Sequence, residues 1–164
     1  MMKTHIAATL AAALAAAPAA AATTTVFVVD ADITVTSGDL FGQTLSAQAV
    51  ADLAGLAGVG EEFIPVQRLR FDFGGETYTE ADGDAELAYF DNAFLGLSFS
   101  VDTPDAFSFI PGFFSVDEAF FSYQGLSADG DGDIAYAVAP IPLPAPFALL
   151  AVSLAGLVAL RRKV

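Results

Sequence analysis

VQRLRFDFGGETYTE, residues 66–80, is the stretch on which the fold turns. Leu69, Phe71 and Phe73 alternate with Arg68, Arg70 and Asp72. A period of two puts one set on each face of an extended chain, so this is a half-buried strand. Gly74-Gly75 follows at once, and two residues that tolerate positive φ are what a type I′ hairpin turn requires. That turn sets a register of Phe71 opposite Tyr78, Asp72 opposite Thr77 and Arg70 opposite Thr79, with both arginines outside.

Outward from the hairpin the text stays β. VFVVDADITVTSG near the start is rich in β-branched residues and stops at a Ser-Gly turn, while QTLSAQAV alternates Leu45, Ala47 and Ala49 with polar residues. The alanines of QTLSAQAV leave helix open there. LAGLAGVGEE reads as a loop or a single helical turn. Further strands are expected at 85–91, 94–101, 106–110, 118–123 and 134–139, separated by Gly, Pro and Asp clusters. Asp30 and Asp32 mark a bulge or an edge in the first strand. Phe113-Phe114 and Phe120-Phe121 cannot both face one side of a strand, so one of each pair belongs at a bend or over a sheet edge. Seven or eight short strands without an amphipathic helix predict an all-β fold, a single antiparallel β-sandwich, jelly-roll-like, over residues 23–139.

The 164 residues suffice for one domain. All 20 acidic residues lie between Asp30 and Asp133, against only Arg68 and Arg70 between Thr23 and Pro140, which gives that region a net charge of −18. Such a field repels nucleic acid and anionic lipid and favours solubility or cation binding. There is no cysteine. Disulfides, thiolate metal sites and a cysteine nucleophile are thereby excluded, and the core must hold the domain by itself.

The two ends read as addresses. MMKTHIAATLAAALAAAPAAAATTT has a basic head at Lys3, an apolar run and a small-residue tract, the layout of a secretory signal peptide over residues 1–22. Cleavage is expected at Ala20, Ala21 and Ala22, and it would remove His5, the chain's one histidine. At the other end, IPLPAPFALLAVSLAGLVALRRKV has no charge from Ala145 to Leu160 and finishes on Arg161, Arg162 and Lys163. As helix those uncharged residues would reach about 24 Å against a hydrocarbon core of about 30 Å, a thin span. The three bases form a stop-transfer cluster that stays cytoplasmic.

The tail resembles the VPLPA variant of the PEP-CTERM sorting signals of exported bacterial proteins. Pro142, Leu143, Pro144 and Ala145 match the motif and Ile141 stands where the family has valine, with the motif at 141–146, a transmembrane helix at 147–160 and the basic end at 161–163. The resemblance covers residues 140–164 and implies recognition by an exosortase-type processing enzyme, the export machinery as a partner, and an exopolysaccharide or matrix destination. The protein would pass through an inner-membrane-tethered precursor on its way to the cell surface or extracellular matrix. The alternating prolines forbid helix and strand pairing and keep the backbone extended, where an enzyme can reach it. A plain C-terminal anchor with a proline-rich neck is the alternative.

Between Thr23 and Pro140 there is no His, Cys, Lys, Trp or Met. Ser-His-Asp, Cys-His and Ser-Lys chemistry, imidazole-bound zinc or iron, and lysine phosphate cradles are all excluded. Paired carboxylates acting on a sugar stay open, without tryptophan platforms to support them. The expectation is a non-enzymatic protein without a cofactor, save weak Ca²⁺ at Asp129, Asp131 and Asp133. Their alternate spacing is similar to the start of an EF-hand loop, but Ile134 and Pro140 stand where Gly and Glu belong. Asp-Gly turns kept in water by their charge are the competing account, also for Asp82, Asp84 and Glu86. An exported surface or matrix protein is the leading function, and an extracellular glycan- or Ca²⁺-binding module the alternative.

Overall fold

The computed structural model describes residues 25–102 and 106–141. Nine strands run in sequence: β1 (Val26–Val35), β2 (Thr44–Asp52), β3 (Glu61–Phe73), β4 (Glu76–Tyr78), β5 (Glu86–Phe90), β6 (Ala93–Val101), β7 (Phe107–Ile110), β8 (Phe120–Tyr123) and β9 (Gly130–Pro140). The described helical pieces are two single 3-10 turns, Leu53–Gly55 and Val116–Glu118.

All pairings are antiparallel, and the order β2-β1-β9-β8-β7-β6-β5-β3 is closed by β2 pairing β3. The result is an eight-stranded barrel of sequence neighbours, with β4 as a short flap on β3. The all-β antiparallel expectation holds. The two-layer jelly-roll-like sandwich does not, because a sandwich leaves sheet edges open and here each barrel strand finds two partners. Length makes the closure feasible. The 13 residues of β3 pair β5 along Glu61–Pro65 and β2 along Val66–Phe71. A register shift against Val50 and Ala51 lets the strand bend between the two partners.

Eight strands enclose just enough room for side chains. Inward positions of β1 and β2 are small or β-branched, Val29, Ala31, Ile33, Ala47, Ala49 and Ala51. They face a cluster of Phe71, Phe73, Phe107, Phe109 and Phe121, whose rings meet mostly edge to face at 5.0–6.2 Å. Among the described residues no polar or charged side chain is buried. Tyr136 ties β9 across to β6, its hydroxyl accepting the Leu97 N–H at 3.1 Å, and burial pushes its phenol up to about 12.

The hairpin has the expected turn and register. Gly74 and Gly75 have φ of 61° and 90°, and Phe71 faces Tyr78 and Asp72 faces Thr77. Pairing with β4 stops at Tyr78, so the expected Arg70–Thr79 pair does not form, and on its other edge Arg70 lies opposite Gln48 of β2. A Cβ on Gly75 would meet nothing within 4 Å. Gly75→Val is therefore expected to lose about 1–3 kcal/mol from backbone strain alone, and Gly75→Asn much less. Urea midpoints of the two variants test this, and equal midpoints would mean the turn does not hold positive φ.

Several boundaries differ from the sequence reading. β3 starts at Glu61 and β9 at Gly130 inside the Asp-Gly run, each ahead of the expected strand, whereas QTLSAQAV is strand as its alternation predicted. Asp30 and Asp32 mark neither a bulge nor an edge, since β1 pairs continuously with β2 and β9 and both carboxylates point outward. Phe120 points out and Phe121 in, while Phe113 and Phe114 are both exposed in the loop after β7. Residues 1–22 with Ala20–Ala22, the motif residues Pro142–Ala145, the span 147–160 and Arg161–Lys163 lie outside the described residues, and Ile141 is the last described. Among the described residues no helix is long and apolar enough to cross a membrane.

Candidate functional site

Because β1 and β9 are antiparallel neighbours, the chain enters and leaves the barrel at one end. Phe27 faces Pro140, and the Ile141 N–H reaches the Val26 carbonyl at 2.9 Å. The other end holds an open cleft of about 690 Å³. It is built from the β1–β2 loop, the Gly74-Gly75 turn and the loop after β8.

Long-range hydrogen bonds shape this cleft. The Tyr123 hydroxyl accepts the Leu40 N–H at 2.7 Å and donates to the Ser37 carbonyl at 3.1 Å. Asp39 accepts the N–H groups of Ser127 and Ala128 at 2.7 and 3.3 Å, pinning two loops 88 and 89 residues apart in sequence. Leu40, Leu45, Phe73 and Leu126 supply apolar wall, and Gln43, Gln124, Glu76 and the Arg70–Asp72 pair supply polar rim. The Thr77 hydroxyl, then Arg70, hold the Asp72 carboxyl below the usual carboxylate range. On the outer wall nearby, Asp30, Asp32, Ser46, Gln48 and Ala137 line a shallower polar hollow, in which Gln48 donates to Asp30 at 2.7 Å.

In the cleft the Thr77 hydroxyl donates to the Asp72 carboxylate, whose lowered pKa makes it a poor general base. Glycoside hydrolysis wants one carboxyl raised to serve as acid. Each described carboxyl displaced from its ordinary value, in Asp52, Glu62, Asp72, Glu80 and Glu118, is displaced downward. The cleft can bind, with hydrogen-bonding groups around an apolar floor.

Asp129, Asp131 and Asp133 do not converge. Asp131 and Asp133 point outward from β9 at alternate positions, about 7 Å apart along the strand, and Asp129 precedes it. An EF-hand loop curls its ligands onto one ion, whereas an extended strand spreads them. Among the described residues no group of three or more His, Cys, Asp or Glu is placed to hold a metal ion. Alternation places Gly130 and Gly132 on the buried face, where Gly130 packs against Tyr123 and Gly132 against Ile33.

The acids instead serve as caps for loop backbone. Glu62 accepts the N–H groups of Ala57, Gly58 and Val59 at 2.7, 2.6 and 3.1 Å. Glu80 accepts the Leu69 N–H at 2.7 Å, beyond the last β3–β4 pair. These bonds were not legible in the sequence, which shows charge but not which donors lack partners. The Ala57 N–H, joined by Gly58 and Val59 and opposed by partial desolvation, holds the Glu62 carboxyl below its ordinary 4.5. A depressed folded value adds stability above 4.5 that is lost as pH falls through the folded value. The melting-temperature gap between wild type and Glu62→Gln is therefore expected to be full at neutral pH and to close below pH 4.5. A gap that widens in acid would reverse the assignment.

No protein-family model matches the chain. Neither a curated protein nor a solved structure matches it.

Proposed function

We propose that this is an exported, non-enzymatic cell-surface or extracellular-matrix protein, delivered through its C-terminal PEP-CTERM-like signal by an exosortase-type enzyme. The observation that supports the reading is the meeting of the domain's two ends, Val26 and Ile141, at one end of the barrel. A signal peptide and a membrane-held tail attached there leave the cleft at the other end free to face outward. The sequence between Thr23 and Pro140, without His, Cys or Lys, supports a binding or structural role over catalysis. The second reading, a glycan-binding module, draws on the cleft beside Gly74 and Gly75, with its apolar floor and amide and carboxylate rim. A glycan array probed with and without Ca²⁺ separates it from a purely structural matrix protein.

The sorting step has its own test. Pro142→Ala with Pro144→Ala allows helix to extend outward from the span and removes the extended backbone a processing enzyme needs. The precursor is expected to accumulate uncut in the inner membrane with its barrel outside. Neutral residues at Arg161, Arg162 and Lys163 are expected instead to release chains with the tail intact, because a short alanine-rich span has little hydrophobicity to spare. Mass spectrometry of membrane and extracellular fractions reads both. Wild-type protein found only in the membrane with Val164 attached would leave a plain anchor.

A further inference from the structure

The end of the barrel where the chain enters and leaves carries a group of exposed apolar side chains, while the cleft end carries Phe41 and Leu126. Val59 follows the 3-10 turn of the β2–β3 loop and is 78% exposed, and Phe90 closes β5 at 50%. Phe113 and Phe114, in the β7–β8 loop, are 77% and 80% exposed. Strand direction brings all three connections to this end, since β2, β5 and β7 each run toward it.

The phenylalanine pair is a built feature and not a loose loop. Its rings meet edge to face at 4.6 Å. One Glu118 oxygen accepts the N–H groups of both residues, at 3.1 and 2.8 Å. The Gly112 N–H bonds the Leu95 carbonyl at 2.9 Å and anchors the loop to β6. Backbone donors that already have partners can leave water cheaply, which a loop with free N–H groups cannot. Two rings held out from a backbone whose Gly112, Phe113 and Phe114 N–H groups have partners suit the headgroup–acyl boundary of a bilayer, where interfacial segments bury Trp, Phe and Leu.

We infer that this end of the barrel lies against a lipid surface, with Phe113 and Phe114 entering the interfacial layer. The occupant follows from where the chain goes next. Ile141 leaves the barrel at this end, and an uncharged apolar run begins four residues later, at Ala145. The inference rests on the tethering reading for the presence of that membrane. Charge selects the lipid. This end carries Glu61, Glu62, Asp91, Asp117 and Glu118, and the two described bases, Arg68 and Arg70, lie beyond the bulge of β3, away from it. An anionic surface is repelled, so the partner is zwitterionic lipid such as phosphatidylcholine or phosphatidylethanolamine.

The chain contains no tryptophan, so one introduced indole is a unique reporter. The full chain is reconstituted into phosphatidylcholine vesicles, with and without lipid brominated in the upper acyl chain. Three single variants are compared: Phe114→Trp, Leu126→Trp at the far end, and Phe147→Trp in the tail. The expected result is a blue-shifted emission quenched by brominated lipid for Phe114→Trp, and a water-like, unquenched emission for Leu126→Trp. Quenching at the tail but not at Phe114→Trp overturns this inference and leaves the tether standing. Quenching at Phe114→Trp without quenching at the tail upholds the inference and sinks the tether. A blue shift at Phe114→Trp without lipid quenching means a second copy of the chain covers the pair, and overturns it. Stronger quenching after adding phosphatidylglycerol overturns the choice of a zwitterionic partner.

Discussion

Phe71→Ala is expected to remove about 3–5 kcal/mol of stability, a large share of the roughly 5–15 kcal/mol a domain of this kind has. Phe71 is fully buried at the centre of the ring cluster, with Phe107 and Phe109 both at 5.0 Å and Phe121 at 5.6 Å. The backbone at this position is paired on both sides, to Ala47 of β2 and Tyr78 of β4. A cavity opened there cannot close by moving the strand without breaking a ladder, so the larger end of the range applies. Phe41, exposed in the β1–β2 loop, is the control, and Phe41→Ala should stay within about 0.5 kcal/mol of wild type. Urea denaturation of both variants decides it. A Phe71→Ala loss below about 1 kcal/mol would mean that the barrel interior is not packed around this ring.

Gly38→Ala is the second large effect. Gly38 has φ of +80°, and a Cβ there would lie 2.6 Å from the Asp129 carbonyl oxygen, 2.6 Å from Gly130 Cα and 2.7 Å from the Tyr123 hydroxyl. Two of the three obstacles are backbone, which cannot swing aside. Left-handed strain and overpacking together are expected to take about 3 kcal/mol or more. Gly42 provides the comparison, with a φ of +82° and nothing within 4 Å of its Cβ. Gly42→Ala should lose only about 1 kcal/mol. Equal losses for the two variants would show that the β1–β2 loop does not sit on the start of β9. The Gly38 substitution should also disturb the cleft, because Tyr123 holds Leu40 and Ser37 through the same hydroxyl.

The strands were legible wherever a two-residue period met a turn residue. Residues 66–80 disclosed their turn, their register and their inner face, since all three follow from local backbone geometry. The starts of β3 and β9 were not legible. GEEFIP and ADGDGD look like loop, the first for its proline and paired acids and the second for its Asp-Gly repeats. Pairing with β5 and with β1 and β8 supplies what local preference lacks, and close packing around Gly130 and Gly132 turns those residues from breakers into a fit.

The candidate site was the least visible part. Asp39, Tyr123 and Gly38 are unremarkable where they stand in the sequence, and they matter only because the fold joins positions 83–89 residues apart. The Asp129–Asp133 run shows the reverse case, a visible pattern whose geometry the sequence does not give. Its spacing is similar to the first half of a cation loop, but spacing becomes geometry only after the backbone is known, and an extended strand spreads Asp131 and Asp133 along one face.

By itself the sequence determined the all-β class, the apolar interior, the absence of thiol and imidazole chemistry in the domain and the two apolar termini, because composition and period-two alternation act locally. Only the tertiary structure decided that the sheet closes into a barrel, that the two ends of the domain leave it side by side, and that the cleft and the Phe113–Phe114 pair lie at opposite ends. Those depend on which strand finds which partner, and for β1 with β9 the partners, from Val35 with Gly132 to Phe27 with Pro140, lie far apart in the chain. No local preference encodes a choice at that distance; the closure of the hydrogen-bonded ring does.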